Sequence, residues 1–379
     1  MNRPGPHRGN RAVVAALLVV VWAAPGPARA RGQEGGDPDV RLASDLVLVP
    51  VAVRHESGGP VTDLRISELT LTEDGASQEI AVFERDTGPV DVALLLDSSA
   101  SIDVSLETIQ RAAYAFAKQL RPEDRISVIA FADRPVILLD WTTDLKAVNS
   151  ALRAIEPKGG TALYGSVVAV IDERFRYGPP GRRRAMIVLT DGVDTLSSVT
   201  SRTAARAALR RDVSVYVVSM GRILDEILQA IVSNSAISAA KRYERRIMRD
   251  QVRRAEEPLN YLAVTTGARA VFPRGLGDLS KAYAEIAGEI RSRYLLGYYP
   301  ARPGVAGFRA IAVSCKRPRV SVHARGGYYR REEEGGRREE VRSRDLVRRA
   351  SRKDRPFSFL PPPSFLLPPP SSLPPPSLL

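Results

Sequence analysis

The chain has 379 residues, of which 44% are hydrophobic and 26% charged. That is enough for about two domains with real cores and too apolar for a chain disordered throughout. The net charge of +13 does not describe a nucleic-acid-binding surface: residues 1–30 carry +4, residues 241–257 carry +3 and residues 330–355 carry +4, leaving +2 for the rest. The excess therefore sits in flanks and one insertion, while the globular part is nearly neutral.

Residues 1–30 have the pattern of a secretory signal peptide. Arg3, Arg8 and Arg11 form a positive start, Ala12 to Ala24 is apolar, and Ala28-Arg29-Ala30 has the small-residue form of a cleavage site. The apolar run is shorter than the roughly 20 residues that span a bilayer, so the expectation is export with no transmembrane span after cleavage. The destination would be periplasmic, cell-envelope or extracellular. A Gly/Asp-rich linker is expected over residues 31–44.

Residues 45–87 read as a small β segment, with strands at 46–53, Leu64–Gly75 and Gln78–Phe83 and a turn at Glu73-Asp74-Gly75-Ala76. From Val90 the pattern changes to strand–helix alternation. Val90–Leu96 is a continuous apolar strand, as in a sheet buried on both faces. A helix follows, with Ile109, Ala112, Ala113, Phe116, Ala117 and Leu120 on one face. Strands at Ile126–Phe131, Val136–Leu139, Ala185–Thr190, Val213–Met220 and Ala268–Phe272 alternate with helices at Ala162–Glu173 and Ser201–Arg211. A last helix puts Leu279, Ala282, Tyr283, Ile286, Ala287 and Ile290 on one face. This alternation predicts an α/β fold over residues 88–291, a doubly wound, mostly parallel, Rossmann-like sheet. Residues 222–258 form an extra helical insertion whose second half is basic. Strands in residues 292–330 are expected to pair with those of the N-terminal segment in a small antiparallel β-sandwich, into which the α/β domain is inserted. Cys315 is the only cysteine, so no internal disulfide is available; in its alternating run it reads as a small buried hydrophobe. Residues 331–379, charged and then proline-rich, are expected to form a disordered or polyproline-like tail.

Three loops carry chemistry. Val90–Leu96 runs into Asp97-Ser98-Ser99-Ala100-Ser101, a D-x-S-x-S pattern at the carboxyl end of a buried strand. Lys158-Gly159-Gly160-Thr161 precedes a helix, and Thr190-Asp191-Gly192 ends another apolar strand. In the usual doubly wound order the first and fourth strands are neighbours where the winding reverses, which brings these loops together. Asp97, Ser99, Ser101, Thr161 and Asp191 then offer two carboxylates and three hydroxyls. Such hard oxygen donors suit one divalent cation, Mg²⁺ first, with Mn²⁺ or Ca²⁺ as alternatives.

These residues resemble the metal-ion-dependent adhesion site of the von Willebrand factor A (VWA) family, which runs D-x-S-x-S, then a threonine, then an aspartate. The resemblance implies that Ser99 and Ser101 ligate the ion directly and Thr161 directly or through water, with Asp97 and Asp191 acting through bound waters. It further implies a binding module rather than an enzyme. Neutral hydroxyl ligands leave the ion positive and open to an Asp or Glu carboxylate presented by a protein or surface ligand. From about Leu46 to Tyr329 the chain is also similar to exported VWFA-related proteins of Acidobacteria, through Glu73-Asp74-Gly75, Tyr294–Pro300 and Gly327-Tyr328-Tyr329. Two alternatives stand beside this reading. An aspartyl-phosphate phosphohydrolase would need a second carboxylate two residues after Asp97, where Ser99 stands. Of the histidines, His7 lies in the signal and His55 and His323 in the flanking strands, so none is placed as a general base. The other alternative is a structural envelope protein with a vestigial metal site.

Overall fold

The computed structural model describes residues 46–100, 105–179, 181–233, 239–302 and 306–330. The signal (1–30), the linker (31–44), the tail (331–379) and Ser101 lie outside the described residues.

The order along the chain is β1 (Val47–His55), β2 (Leu69–Glu73), β3 (Ala76–Gln78), β4 (Val82–Arg85), β5 (Val90–Asp97), α1 (Leu106–Ala117), β6 (Arg125–Phe131), β7 (Pro135–Thr142), α2 (Leu145–Arg153), α3 (Leu163–Arg174), β8 (Arg183–Thr190), α4 (Ser201–Arg210) and β9 (Val213–Ser219). Then come α5 (Gly221–Ser233), α6 (Ala239–Thr265), β10 (Ala270–Val271), α7 (Asp278–Arg291), β11 (Tyr294–Tyr298), β12 (Gly307–Cys315), β13 (Val320–Ala324) and β14 (Gly327–Arg330).

The central sheet has the order β10-β9-β8-β5-β6-β7 and is parallel except for the edge strand β7. Every residue of β5 is buried, because helices cover both faces of the sheet and leave no side of the strand for water. On one face Val92, Leu94 and Leu96 pack with α1, α2 and α7; on the other Ala93 and Leu95 pack with α3, α4 and α6. The period-2 alternation of β5 thus feeds two cores at once. All six apolar residues expected on one face of the last helix are buried in the first of these cores.

Two four-stranded antiparallel sheets flank this domain, β13-β1-β11-β4 and β14-β12-β2-β3. Strands from before and after the α/β domain pair within each, β1 with β11 and β2 with β12. Val49, Val51, Leu71, Leu296 and Tyr298 form their common core. The strand expected over Gln78–Phe83 divides: β3 pairs with β2 in one sheet and β4 with β11 in the other. The strand expected over Leu64–Gly75 starts only at Leu69, after a 3-10 turn at Ile66–Glu68. Cys315 is half-buried at the end of β12, against the sandwich core rather than within it.

Buried charge joins the sandwich to the α/β domain. Arg54 of β1 donates to the Glu285 carboxylate of α7 at 3.1 Å and to its backbone carbonyl at 3.3 Å. Arg269 binds both Glu285 (2.9 Å) and the fully buried Glu289 (3.0 Å). Arg293, just past α7, donates to Ser214 Oγ (2.9 Å), Tyr216 Oη (2.7 Å) and the Gly267 carbonyl (3.1 Å). Charges this deeply buried persist only when partnered.

Candidate metal centre

The site is built where the sheet reverses direction. β5 pairs in parallel with β8 on one side and β6 on the other, with Leu96 opposite Leu189 and Asp97 opposite Phe131. Asp97 and Thr190 therefore end adjacent strands at the same level. Thr190 Oγ1 donates to Asp97 Oδ2 at 2.7 Å and accepts from the Gly192 amide at 3.0 Å. Asp97 Oδ1 accepts from the Ser99 amide at 2.9 Å, and Asp191 Oδ1 from the Val193 amide at 3.0 Å. Each carboxylate thus closes a tight turn through its own loop backbone.

The loops are tied to one another as well. The Lys158 amide donates to the Ser98 carbonyl at 2.7 Å, joining the glycine-rich loop to the Asp97 loop. The Thr161 amide donates to Thr195 Oγ1 at 3.0 Å, and the Thr161 carbonyl accepts from the Thr195 amide at 2.9 Å, joining the glycine-rich loop to the Asp191 loop. Asp133 accepts from the Gly160 amide at 2.7 Å. Asp194 accepts from the amides of Leu196, Ser197 and Tyr164, the last in the first turn of α3. Asp194 is accordingly a turn and helix-start residue, and Trp141 lies on the edge strand β7 in contact with the guanidinium groups of Arg125 and Arg174.

Of the five expected ligands, Asp97, Ser99, Thr161 and Asp191 are all buried at this point and carried by mutually bonded loops. Ser101 lies outside the described residues. Thr190 was not among the expected ligands. It holds the Asp97 carboxylate, and its only signal in the sequence is its place at the strand end immediately before Asp191. Thr195 and Asp133 support the glycine-rich loop from positions that no spacing rule indicates.

The electrostatics of the site follow from burial and crowded charge. Burial, and then the neighbouring charge of Asp191, pushes the Asp97 carboxyl up to about 6, against hydrogen bonds from Ser99 and Thr190 that pull it down. Two carboxylates forced together out of water are destabilised when both are ionised, and a bound cation relieves that repulsion. Among the described residues no cluster of three or more His, Cys, Asp or Glu is set to hold a metal. The donor set here is different, two carboxylates beside serine and threonine hydroxyls, and it fits a hard cation better than zinc or copper.

A mostly parallel sheet with strand-end carboxylates and hydroxyl-bearing loops at its point of reversal is an α/β domain with these residues where such folds present their ligand sites. Residues 91–251 match the von Willebrand factor type A domain. Domains of this family serve in general as non-enzymatic adhesion or interaction modules, and they commonly bind a divalent cation.

An uncharacterised protein of Synechocystis sp. is 34% identical over 107 residues, covering 27% of this chain and 25% of that protein. A UPF0353 protein of Mycolicibacterium paratuberculosis is 26% identical over 241 residues, covering 59% of this chain and 66% of its own. The chain thus spans less than two thirds of the length of these curated relatives. Among solved structures, the conserved hypothetical protein BatB from Bacteroides thetaiotaomicron is similar at 30% identity and a TM-score of 0.30, over 34% of this chain and 66% of that one.

Proposed function

We propose that this protein binds a partner through one divalent cation, Mg²⁺ in the first place, held by Asp97, Ser99, Ser101, Thr161 and Asp191. The observation that carries this reading is the buried pair Asp97 and Asp191 on adjacent loops, with the Asp97 carboxyl already pushed up to about 6. A pair like this costs stability unless a cation sits with it. Bound there, the cation supplies a centre of positive charge for an outside Asp or Glu carboxylate. The chain's own residues position it. Thr190 orients Asp97, Thr195 fixes the backbone of Thr161, and the Ser98 carbonyl anchors the glycine-rich loop.

Export is part of the same proposal, supported by the charged-then-apolar pattern of residues 1–30. No helix among the described residues is long and apolar enough to cross a membrane. Calorimetric titration of the full chain with Mg²⁺, Mn²⁺ and Ca²⁺ tests the reading. One-site binding, lost in Asp191→Ala, is expected. Absence of heat with all three ions, in a protein whose circular dichroism shows it folded, sinks it.

A further inference from the structure

The helical insertion stands against the loop that carries Asp191. A Cβ added to Gly192 would come 2.8 Å from Leu259 Cδ1 and 3.3 Å from Ala255 Cβ, both on α6. A Cβ on Gly221, the first residue of α5, would lie 2.7 Å from the Asp191 carbonyl and 2.5 Å from Val252 Cγ1. Only glycine allows backbone and helix to approach this closely. Val252 also lines the groove between α5 and α6, a space of about 550 Å³. Val252 thus belongs both to the packing against the Asp191 loop and to the groove, so the two adjoin.

The groove is charged, with Arg222, Arg249, Arg253 and Arg274 facing Asp225, Glu226 and Glu256. Arg222 is held by a two-pronged contact to Glu256 at 2.6 and 2.7 Å, and Arg249 pairs with Asp225 at 3.0 Å. These pairs brace the two helices. Arg253 is exposed, and neither it nor Arg274 forms an ion pair among the described residues. Glu226 in the same groove forms none either, so the groove keeps a net positive charge of one, with Arg253 and Arg274 as its unpaired cations, next to the candidate metal site.

The geometry points to an acidic polypeptide segment as the partner: one Asp or Glu at the cation, and further carboxylates in the α5–α6 groove on Arg253 and Arg274. The inference rests on the metal-site reading for its first contact; the groove is an independent second one. Arginine suits this role because its planar fork takes a carboxylate through two parallel hydrogen bonds.

The test uses the full chain with two labelled ten-residue peptides at low salt in Mg²⁺, one of glutamates and one of glutamines with a single central glutamate. The Arg253→Glu/Arg274→Glu double variant should bind the glutamate-rich peptide about tenfold more weakly, with each reversal taking part of that factor. The single-glutamate peptide should change less than twofold, and calorimetric Mg²⁺ affinity should hold. Equal weakening of both peptides, an unchanged affinity for the glutamate-rich one, or no peptide binding by a protein that takes up Mg²⁺ overturns the inference. Absence of Mg²⁺ uptake counts instead against the metal site. In that case the groove is scored alone, by whether glutamate-rich binding in chelator still responds to the two reversals.

Discussion

Thr190→Val is the most direct probe of the metal centre. Valine keeps the shape of threonine at a fully buried strand end and removes only the hydroxyl. Two hydrogen bonds go with it, the 2.7 Å bond to the Asp97 carboxylate and the 3.0 Å bond from the Gly192 amide. A hydrogen bond to a charged group contributes roughly 1.5–3 kcal/mol, and a buried amide left unpaired costs roughly 1–3 kcal/mol. The Gly192 loop can relax, so a total near 3 kcal/mol is expected, or about 6–12 °C in Tm for a domain of this size. Thermal unfolding in chelator reads this loss. The same change releases the carboxylate that positions the site, and loss of such an orienting contact lowers metal affinity roughly 10–100-fold. Magnesium should therefore raise the Tm of the wild type more than that of the variant at equal concentration. A variant that melts within about 2 °C of wild type in chelator and binds magnesium equally well would refute the assignment of Thr190 as the residue that holds Asp97.

Two further changes test the electrostatics. The Asp97 carboxyl is raised in the folded chain, to about 6 from 3.8, so in that window the folded chain holds more protons than the unfolded one. This group's contribution to stability is then lost as pH rises from about 4 to 6 in the absence of metal. Relative to Asp97→Asn in chelator, the wild type should lose about 2 kcal/mol between pH 4 and pH 7 by urea unfolding, at about 1.36 kcal/mol per pH unit of the shift and with part of it already gone at pH 4; a pH-independent difference contradicts the buried repulsion. At the junction, Arg54→Met keeps the apolar stem and removes the charge that faces Glu285 and Glu289, the latter fully buried. Leaving those carboxylates to Arg269 alone should cost about 3 kcal/mol in denaturant titration, and a loss under about 0.5 kcal/mol would mean that the ion pairs do not hold the two parts together.

The α/β fold was legible because each element announces itself locally. An apolar run as short as Val90–Leu96, entered from Gly88-Pro89, reads as a strand covered on both faces, and the spacing of Leu279, Tyr283, Ile286 and Ile290 reads as one face of a helix. Neighbouring order then follows from the usual doubly wound arrangement, whose first and fourth strands meet where the winding reverses, and this places Asp97 beside the Thr190 strand. The oxygen donors are expected from three loops, Asp97–Ser101, Lys158–Thr161 and Thr190–Gly192, whose residues together resemble the metal-ion-dependent adhesion site of the VWA family. What the chain alone could not decide depends on contacts between distant segments. Gln78–Phe83 looks like one strand, yet β3 and β4 find partners in different sheets. Thr190 is an ordinary strand-end threonine until the register of β5 and β8 sets its hydroxyl against Asp97. The basic insertion reads as a solvated helix, and only the close approach of Val252, Ala255 and Leu259 to Gly192 and Gly221 packs it against the Asp191 loop. Periodicity is written residue by residue along the chain, whereas hydrogen-bond partners and buried charges are chosen by the whole folded chain, since each must find a counterpart once water is excluded.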